Sequence, residues 1–221
     1  MTTPLRLAHR GDLRVAPENS LEALLAATRI PGCDGVEFDV RLSRDGVPVL
    51  LHDHTLARVH GVHTPISQLA AAEAAHHAIP TLEEVLVALP PSCWLDVELK
   101  GEDHGQATAD VLLAARGPAP TAAVISSFEA SALVAIADLL PGWGRWLNAQ
   151  DLSTATLSSA VGLGCRGVSV SWGVITPERM RAATDAGLDV AAWTVRRLDT
   201  FERLGRLGVV ACCVEAAALD G

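Results

Sequence analysis

Tyrosine is absent from the 221 residues, phenylalanine occurs three times, and the five tryptophans are the commonest aromatic. An interior so short of rings has to be built mainly from Val, Leu and Ala, which makes each Trp individually noteworthy. Cysteine is sparse and badly placed for a disulfide framework. Cys33, Cys93, Cys165, Cys212 and Cys213 form an odd set with no Cys-x-x-Cys or Cys/His ligand spacing. Buried, reduced thiols are expected, and the adjacent Cys212 and Cys213 would face opposite sides of a strand. No apolar run approaches the ~18 residues that span a bilayer, so stable membrane insertion is not expected. The N-terminal residues lack the apolar stretch and small-residue cleavage site of a secretory signal, which makes the expected location cytoplasmic. Positive charge is also in deficit, with 17 Lys and Arg against 26 Asp and Glu and a formal net charge of -9. That balance argues against nucleic acid or an anionic membrane surface as partner. A small anionic substrate stays open, because it responds to the few charges of its pocket and a bound divalent cation can reverse the local sign.

What is present is a globular composition, 49% hydrophobic and 19% charged. The length suits one domain over residues 1–221. Strand-length apolar runs alternate with segments of helical period, the pattern of a parallel α/β protein. Eight runs qualify, near 6–10, 35–41, 93–99, 122–128, 144–148, 167–172, 189–195 and 209–214. Helix starts are marked as well: Thr81 with Glu84 forms a capping box, Asn19 with Glu22 resembles one, and Thr176 precedes Pro177 at a first helical position. Eight such repeats predict a closed (β/α)8 barrel. One further strand-like run, 47–51, lies too close to the second strand for a parallel crossover. Asp45-Gly46 is a tight-turn signal, so these two runs should form an antiparallel hairpin that returns His52 to the rim roughly opposite Asp39. Residues 54–80 then form a short insertion, expected to be a lid or a substrate-facing segment.

The chemistry gathers on the strands. Glu37 and Asp39 stand at i and i+2, on one face of a strand whose other face is apolar. Asp96, Glu98 and Lys100 repeat this pattern on the third predicted strand. Acids on the inner face of a barrel repel and desolvate one another unless a cation lies between them, and oxygen ligands suit Mg2+ or Ca2+. His9 and Arg10 close the first strand, where barrel enzymes keep their catalytic groups. With His52 arriving at the same rim, two imidazoles surround one acid cluster, enough to take one proton and deliver another. Arg10 offers a planar fork of donors to phosphate, and Lys100 a second positive charge. Each feature has a plainer reading: surface acids on an edge strand, an ion pair of Lys100 with Glu98 or Asp96, satisfied polar residues at strand ends, or an Arg10 that points outward. The remaining histidines, His54, His60, His63, His76, His77 and His104, fall mostly in loops and read as surface residues.

His9-Arg10-Gly11, Pro17-Glu18-Asn19-Ser20, Glu37-Phe38-Asp39-Val40, Asp45-Gly46 and His52-Asp53 occur in an order that resembles the glycerophosphodiester phosphodiesterase family. Leu56 and Arg58, Pro80-Thr81-Leu82, Glu98-Leu99-Lys100, Ser126-Ser127-Phe128 and Trp193-Thr194-Val195 continue the likeness over most of the chain. The resemblance implies hydrolysis of a small-molecule glycerophosphodiester to sn-glycerol 3-phosphate and an alcohol on a (β/α)8 barrel, with one divalent metal ion, Mg2+ or Ca2+. By similarity Glu37, Asp39 and Glu98 hold the metal, His9 and His52 are the acid/base pair, and Arg10 and Lys100 contact phosphate. Glu18 and Asn19 fall in a first loop facing the site, where Asn19 also competes as a helix cap. Trp193 is expected to wall the glycerol backbone. The chain departs from the family at its last strand, where Val210 and the run up to Glu215 replace the usual Asp-containing sequence. A phospholipase-type barrel phosphodiesterase and a non-catalytic barrel that binds a phosphorylated metabolite are the competing readings.

Overall fold

The computed structural model describes residues 3–101 and 104–220. Its strands are β1 (Leu5–His9), β2 (Gly35–Leu42), β3 (Pro48–Leu50), β4 (Trp94–Leu99), β5 (Ala123–Ser127), β6 (Gly144–Ala149), β7 (Gly167–Ser171), β8 (Asp189–Val195) and β9 (Ala211–Val214). The helices are α1 (Leu21–Ala27), α2 (Ala57–His60), α3 (Ala71–Ala75), α4 (Leu82–Ala88), α5 (Gln106–Arg116), α6 (Ala130–Leu139), α7 (Thr154–Gly162), α8 (Pro177–Asp185), α9 (Leu198–Leu207) and α10 (Ala217–Asp220). Eight strands run parallel in the order β1-β9-β8-β7-β6-β5-β4-β2, and pairing of β1 with β2 closes the ring into a TIM barrel. Among the described residues no helix is long and apolar enough to cross a membrane.

Local chemistry accounts for the elements. Thr81 accepts from the Glu84 amide while the Glu84 carboxylate accepts from the Thr81 amide, so the capping box holds α4 in place. Thr176 caps α8 with Pro177 in its first turn, as its spacing predicts. At α1 the expectation is corrected: Ser20, not Asn19, is the cap, its hydroxyl accepting from the Ala23 amide at 3.2 Å. Asn19 has a left-handed backbone, φ 58°, which turns its side chain toward the barrel instead.

β3 is antiparallel to β2, with Val40 opposite Leu50 and Leu42 opposite Pro48. That register puts Leu51 beside Asp39, its amide donating to the Asp39 carbonyl, and carries His52 one residue beyond the expected position. Gly46 takes the left-handed conformation the turn needs, φ 75°. Residues 54–80 are less irregular than the sequence suggests. They contain α2, one 3-10 turn at Ile66–Gln68 and α3, packed on a satellite core of Val49, Leu51, Leu56, Ile66, Ala74 and Ile79.

The outer helices cover the barrel through one large apolar cluster that includes Leu24, Phe38, Leu95, Leu133 and Leu204. The bottom of the barrel is plugged by Leu7, Val124, Trp146, Ala191 and Ala211, and Trp94 stacks on Trp146 with ring centroids 5.6 Å apart. Two of the five tryptophans therefore close the floor, and the space above them opens at the C-terminal mouth. Cys212 packs into the outer cluster and Cys213 faces the interior, so the adjacent thiols do point opposite ways.

Candidate active site

The mouth of the barrel holds a cleft of about 490 Å³, lined by His9, Arg10, Glu37, His52, Glu98 and Lys100 on one side and by Phe128, Asn148, Ser169 and Trp193 on the other. Its floor carries Asp96 and Cys213. β2 and β4 run in register with Glu37 beside Asp96 and Asp39 beside Glu98, so the period of two puts all four acids on the inner face. One oxygen each from Glu37, Asp39 and Glu98 lies within 4.8 Å of the others. Three oxygens on a sphere of about 2.4 Å radius, the ordinary distance to a hard divalent cation, have that spread. The Glu37 Oε1 atom is buried and has no hydrogen-bond partner, a desolvation cost that a cation would relieve. The cluster can therefore hold a metal ion.

Positive side chains share these carboxylates. Arg10 follows β1 in a left-handed conformation, φ 60°, and its Nε lies 3.0 Å from Asp39 Oδ2. Its inward direction depends on Gly11, φ 95°, where a Cβ would come within 2.5 Å of the Ala23 backbone. Lys100, the only lysine in the sequence, pairs with Glu98 and sits 3.2 Å from Asp39 Oδ1. Asn19 donates to Asp39 Oδ2 at 2.8 Å and accepts from the Asp39 amide at 3.1 Å, so it holds a candidate metal ligand in position. Glu18 has both oxygens occupied: Arg10 and Arg58 donate to Oε1 and Arg58 to Oε2.

Each cleft histidine is held through Nδ1 by a carboxylate at 2.6 Å, His9 by Glu215 and His52 by Asp53. Each carboxylate is held in turn by an arginine at 2.7 Å, Glu215 by Arg196 and Asp53 by Arg58. The Nε2 atom is left for chemistry in both, and that of His9 lies 3.8 Å from Glu37 Oε2. Arg41 donates twice to the His52 carbonyl, at 2.9 and 2.7 Å, which fixes the end of the hairpin. Sequence reasoning passed over Glu215, Arg196 and Arg41. Glu215 lies 206 residues from His9, and no local pattern joins them. His104, read as a surface residue, is buried with Nε2 at 3.0 Å from the Lys100 carbonyl.

Burial and neighbouring charge set the proton affinities. Burial raises the Glu37 carboxyl well above its usual range, with Asp39 and Glu98 adding to the effect. Glu98 is raised to about 7 by burial and Asp39, against the opposing pull of Lys100. Asp96 reaches about 7 by burial, although the Ser126 hydroxyl donates to it at 2.6 Å. Asp39 goes the other way: burial would raise it, but Arg10, Lys100, His52 and Asn19 together hold it below the usual range. Burial lowers His52 despite the attraction of Asp39 and the Asp53 hydrogen bond, which favours a neutral ring. Asp53 is held down to about 2, chiefly by the Arg58 hydrogen bonds.

A raised acid binds its proton more tightly in the folded state, so its contribution to stability is complete below the unfolded value and is lost as pH rises through the folded one. For Asp96 and Glu98 that window runs from about 4 to about 7. The metal-free protein is therefore expected to melt at least ~5 °C lower at pH 7.5 than at pH 5. Saturating Mg2+ or Ca2+, which favours the ionised acids, should remove most of the difference. Thermal denaturation in chelator and in added cation checks this, and identical profiles in the two would contradict it.

Residues 9–218 match the model of the glycerophosphoryl diester phosphodiesterase family. The chain is 32% identical to a probable glycerophosphodiester phosphodiesterase 2 of Mycobacterium tuberculosis, over 90% of this chain and 83% of that one. It is 27% identical to a glycerophosphodiester phosphodiesterase of Caldanaerobacter subterraneus, over 93% and 91% of the two chains. Among solved structures, an Oleispira antarctica phosphodiesterase in complex with the product sn-glycerol-3-phosphate superposes with a TM-score of 0.84 at 28% identity, covering 96% of this chain and 93% of that one.

Proposed function

The chain belongs to the glycerophosphoryl diester phosphodiesterase family and is a phosphoric diester hydrolase, and from that premise we propose a metal-dependent hydrolysis of glycerophosphodiesters to sn-glycerol 3-phosphate and an alcohol, with His9 and His52 as its acid/base pair. The observation that carries the metal and acid/base reading is the convergence of Glu37, Asp39 and Glu98 between two imidazoles, each with its Nδ1 tied to a carboxylate. The product bound to the Oleispira antarctica relative supports the glycerol phosphate product here.

Arg10 and Lys100 bind the phosphodiester anion through charge-assisted hydrogen bonds. Both now pair with Asp39, so a substrate phosphate would compete with a carboxylate already in place. A divalent cation held by Glu37, Asp39 and Glu98, Mg2+ or Ca2+, would supply Lewis-acid neutralisation of phosphoryl charge. Glu18 and Asn19 serve the substrate indirectly, the first by orienting Arg10 and the second by orienting Asp39. With Nδ1–H donated to Glu215 or Asp53, Nε2 is the proton-transferring atom of each histidine. One Nε2 accepts a proton from the nucleophile and the other protonates the leaving alcohol, so the charge states of the two rings differ when substrate is bound.

Trp193, half buried, donates its indole N–H to the Ser169 carbonyl at 3.0 Å and meets Phe128 edge to face at 5.6 Å. This fixed apolar corner suits the carbon chain of glycerol. Trp193→Ala is expected to raise KM about 10-fold with kcat within a few-fold of wild type. A lowered melting temperature with unchanged KM would reduce Trp193 to packing.

The overall reading is tested by incubating the metal-replete protein with glycerophosphodiesters of several headgroups and with a phospholipid, and identifying the phosphorylated product. Release of sn-glycerol 3-phosphate from the former is expected. Exclusive cleavage of the phospholipid, or binding without turnover across metals and headgroups, would overturn it.

A further inference from the structure

The cleft is divided by charge, and the division follows the strand order. In the closed ring β6 stands four strands from β1, and β7 four strands from β2, so both face the charged wall from across the barrel. β6 contributes Asn148, and β7 contributes Ser169 beside it in register, so the two side chains share the inner face. Trp146, two residues earlier on β6, belongs to the plugged floor, which places Asn148 one layer higher, in the cleft.

Asn148 is only 5% exposed, and its Oδ1 is buried without a hydrogen-bond partner. A buried amide oxygen left unpaired is costly, and the cost disappears when something in the cleft donates to it. The neighbours narrow what that donor can be. The Trp193 indole is pinned over Ser169, with Phe128 edge to face beside it, so the wall beside Asn148 is largely aromatic. Among the described residues the one carboxylate lining this side, Glu129, is already engaged, accepting from the Ser127 hydroxyl at 2.9 Å. An acyl chain would leave the amide unpaired, whereas a polyol meets both surfaces, its carbons on the rings and a hydroxyl on the amide.

We propose that Asn148 is a specificity-determining residue that accepts a hydrogen bond from a hydroxyl of the substrate's glycerol group, which the aromatic wall of the cleft reads while the opposite wall holds the phosphate. The assignment rests on the reading of the enzyme as a glycerophosphodiesterase and adds the group that recognises the glycerol. The amide can accept through Oδ1 and donate through Nδ2, so it tolerates either direction of hydrogen bonding along a diol.

The test compares two diesters with the same p-nitrophenol leaving group, one with glycerol on the phosphate and one with propyl in its place. Its readout is the ratio of their kcat/KM values in the metal-replete enzyme. Asn148→Leu, close in size but without polar atoms, is expected to reduce the preference for the glycerol diester roughly 10- to 100-fold. Asn148→Ala is a second probe should the leucine disturb folding, with melting temperature measured for both, and it is expected to reduce the same ratio. An unchanged ratio in a folded variant, or an equal loss on both substrates, overturns the assignment while leaving the glycerophosphodiesterase reading intact. A wild-type enzyme that cleaves neither diester, or that shows no preference for glycerol, removes the reading on which the assignment rests.

Discussion

Replacing Glu37 by Gln is expected to reduce metal-supported turnover at least ~10²-fold while raising the melting temperature of the metal-free protein. The first effect follows from the proposed ligand set: disturbing only the groups behind metal ligands already costs about 10- to 100-fold, and Glu37 is one of the three carboxylates that cluster among the described residues. The second follows from burial. Glu37 is 2% exposed beside Asp39 and Glu98, and its carboxyl is raised well above the usual range because ionising it there is unfavourable. Glutamine keeps the shape and removes that burden, so the variant should be more stable than wild type in chelator and gain less from added cation. Activity loss and stability gain in one variant would separate a functional acid from a structural one, because a structural ion pair loses stability when an acid is neutralised. Calorimetric titration with Mg2+ and Ca2+, read beside thermal denaturation, decides the point. Near-wild-type turnover in Glu37→Gln would remove the metal role.

The second large effect concerns the histidines. His9→Ala and His52→Ala are each expected to lower kcat by ~10² to 10⁴-fold, the ordinary contribution of a positioned proton-transfer group, while cation binding persists. Persistence is expected because Glu37, Asp39 and Glu98 form the cluster without either imidazole. Wild-type rates should follow a bell-shaped pH profile, and each variant with measurable activity should lose one limb. Tying each Nδ1 to a carboxylate 2.6 Å away makes the two sites alike in orientation. Burial, with Arg10 and Lys100 adding to it, lowers His52 and favours its neutral ring, the form that can accept a proton. If either variant kept near-wild-type kcat on a glycerophosphodiester that the wild type cleaves well, the two-histidine mechanism would be wrong even with the metal site intact.

The lone lysine has its own logic. Sixteen of the chain's seventeen basic side chains are Arg, yet the position two residues after Glu98 is Lys100. It pairs with Glu98, approaches Asp39 and sits 5.4 Å from the Phe128 ring centre. A compact ammonium fits among two carboxylates and a ring, where a planar guanidinium would have to match one of them face on.

What the sequence determined by itself is whatever depends on short spacing. Glu37 with Asp39, and Asp96 with Glu98 and Lys100, had to share a strand face because the side-chain period is two. Asp45-Gly46 had to reverse the chain, and Thr81 with Glu84 had to start a helix, because those arrangements are made within a few residues. Only the tertiary structure decided the rest. Asn19 rather than Ser20 resembled the cap of α1 until a left-handed backbone turned Asn19 inward to Asp39. Glu215, at the end of an unusual last strand, became the partner of His9 because β9 closes the barrel beside β1, bringing together residues 206 apart. Arg58, on the segment that follows the hairpin, ties Glu18 of the first loop to Asp53 beside His52. Asn148 carries no local signal either, since an asparagine near a strand end reads the same whether it faces solvent or the cleft. Its burial and unpaired oxygen arise only when β6 stands across a closed ring from β1, a relation set by the shape of the barrel.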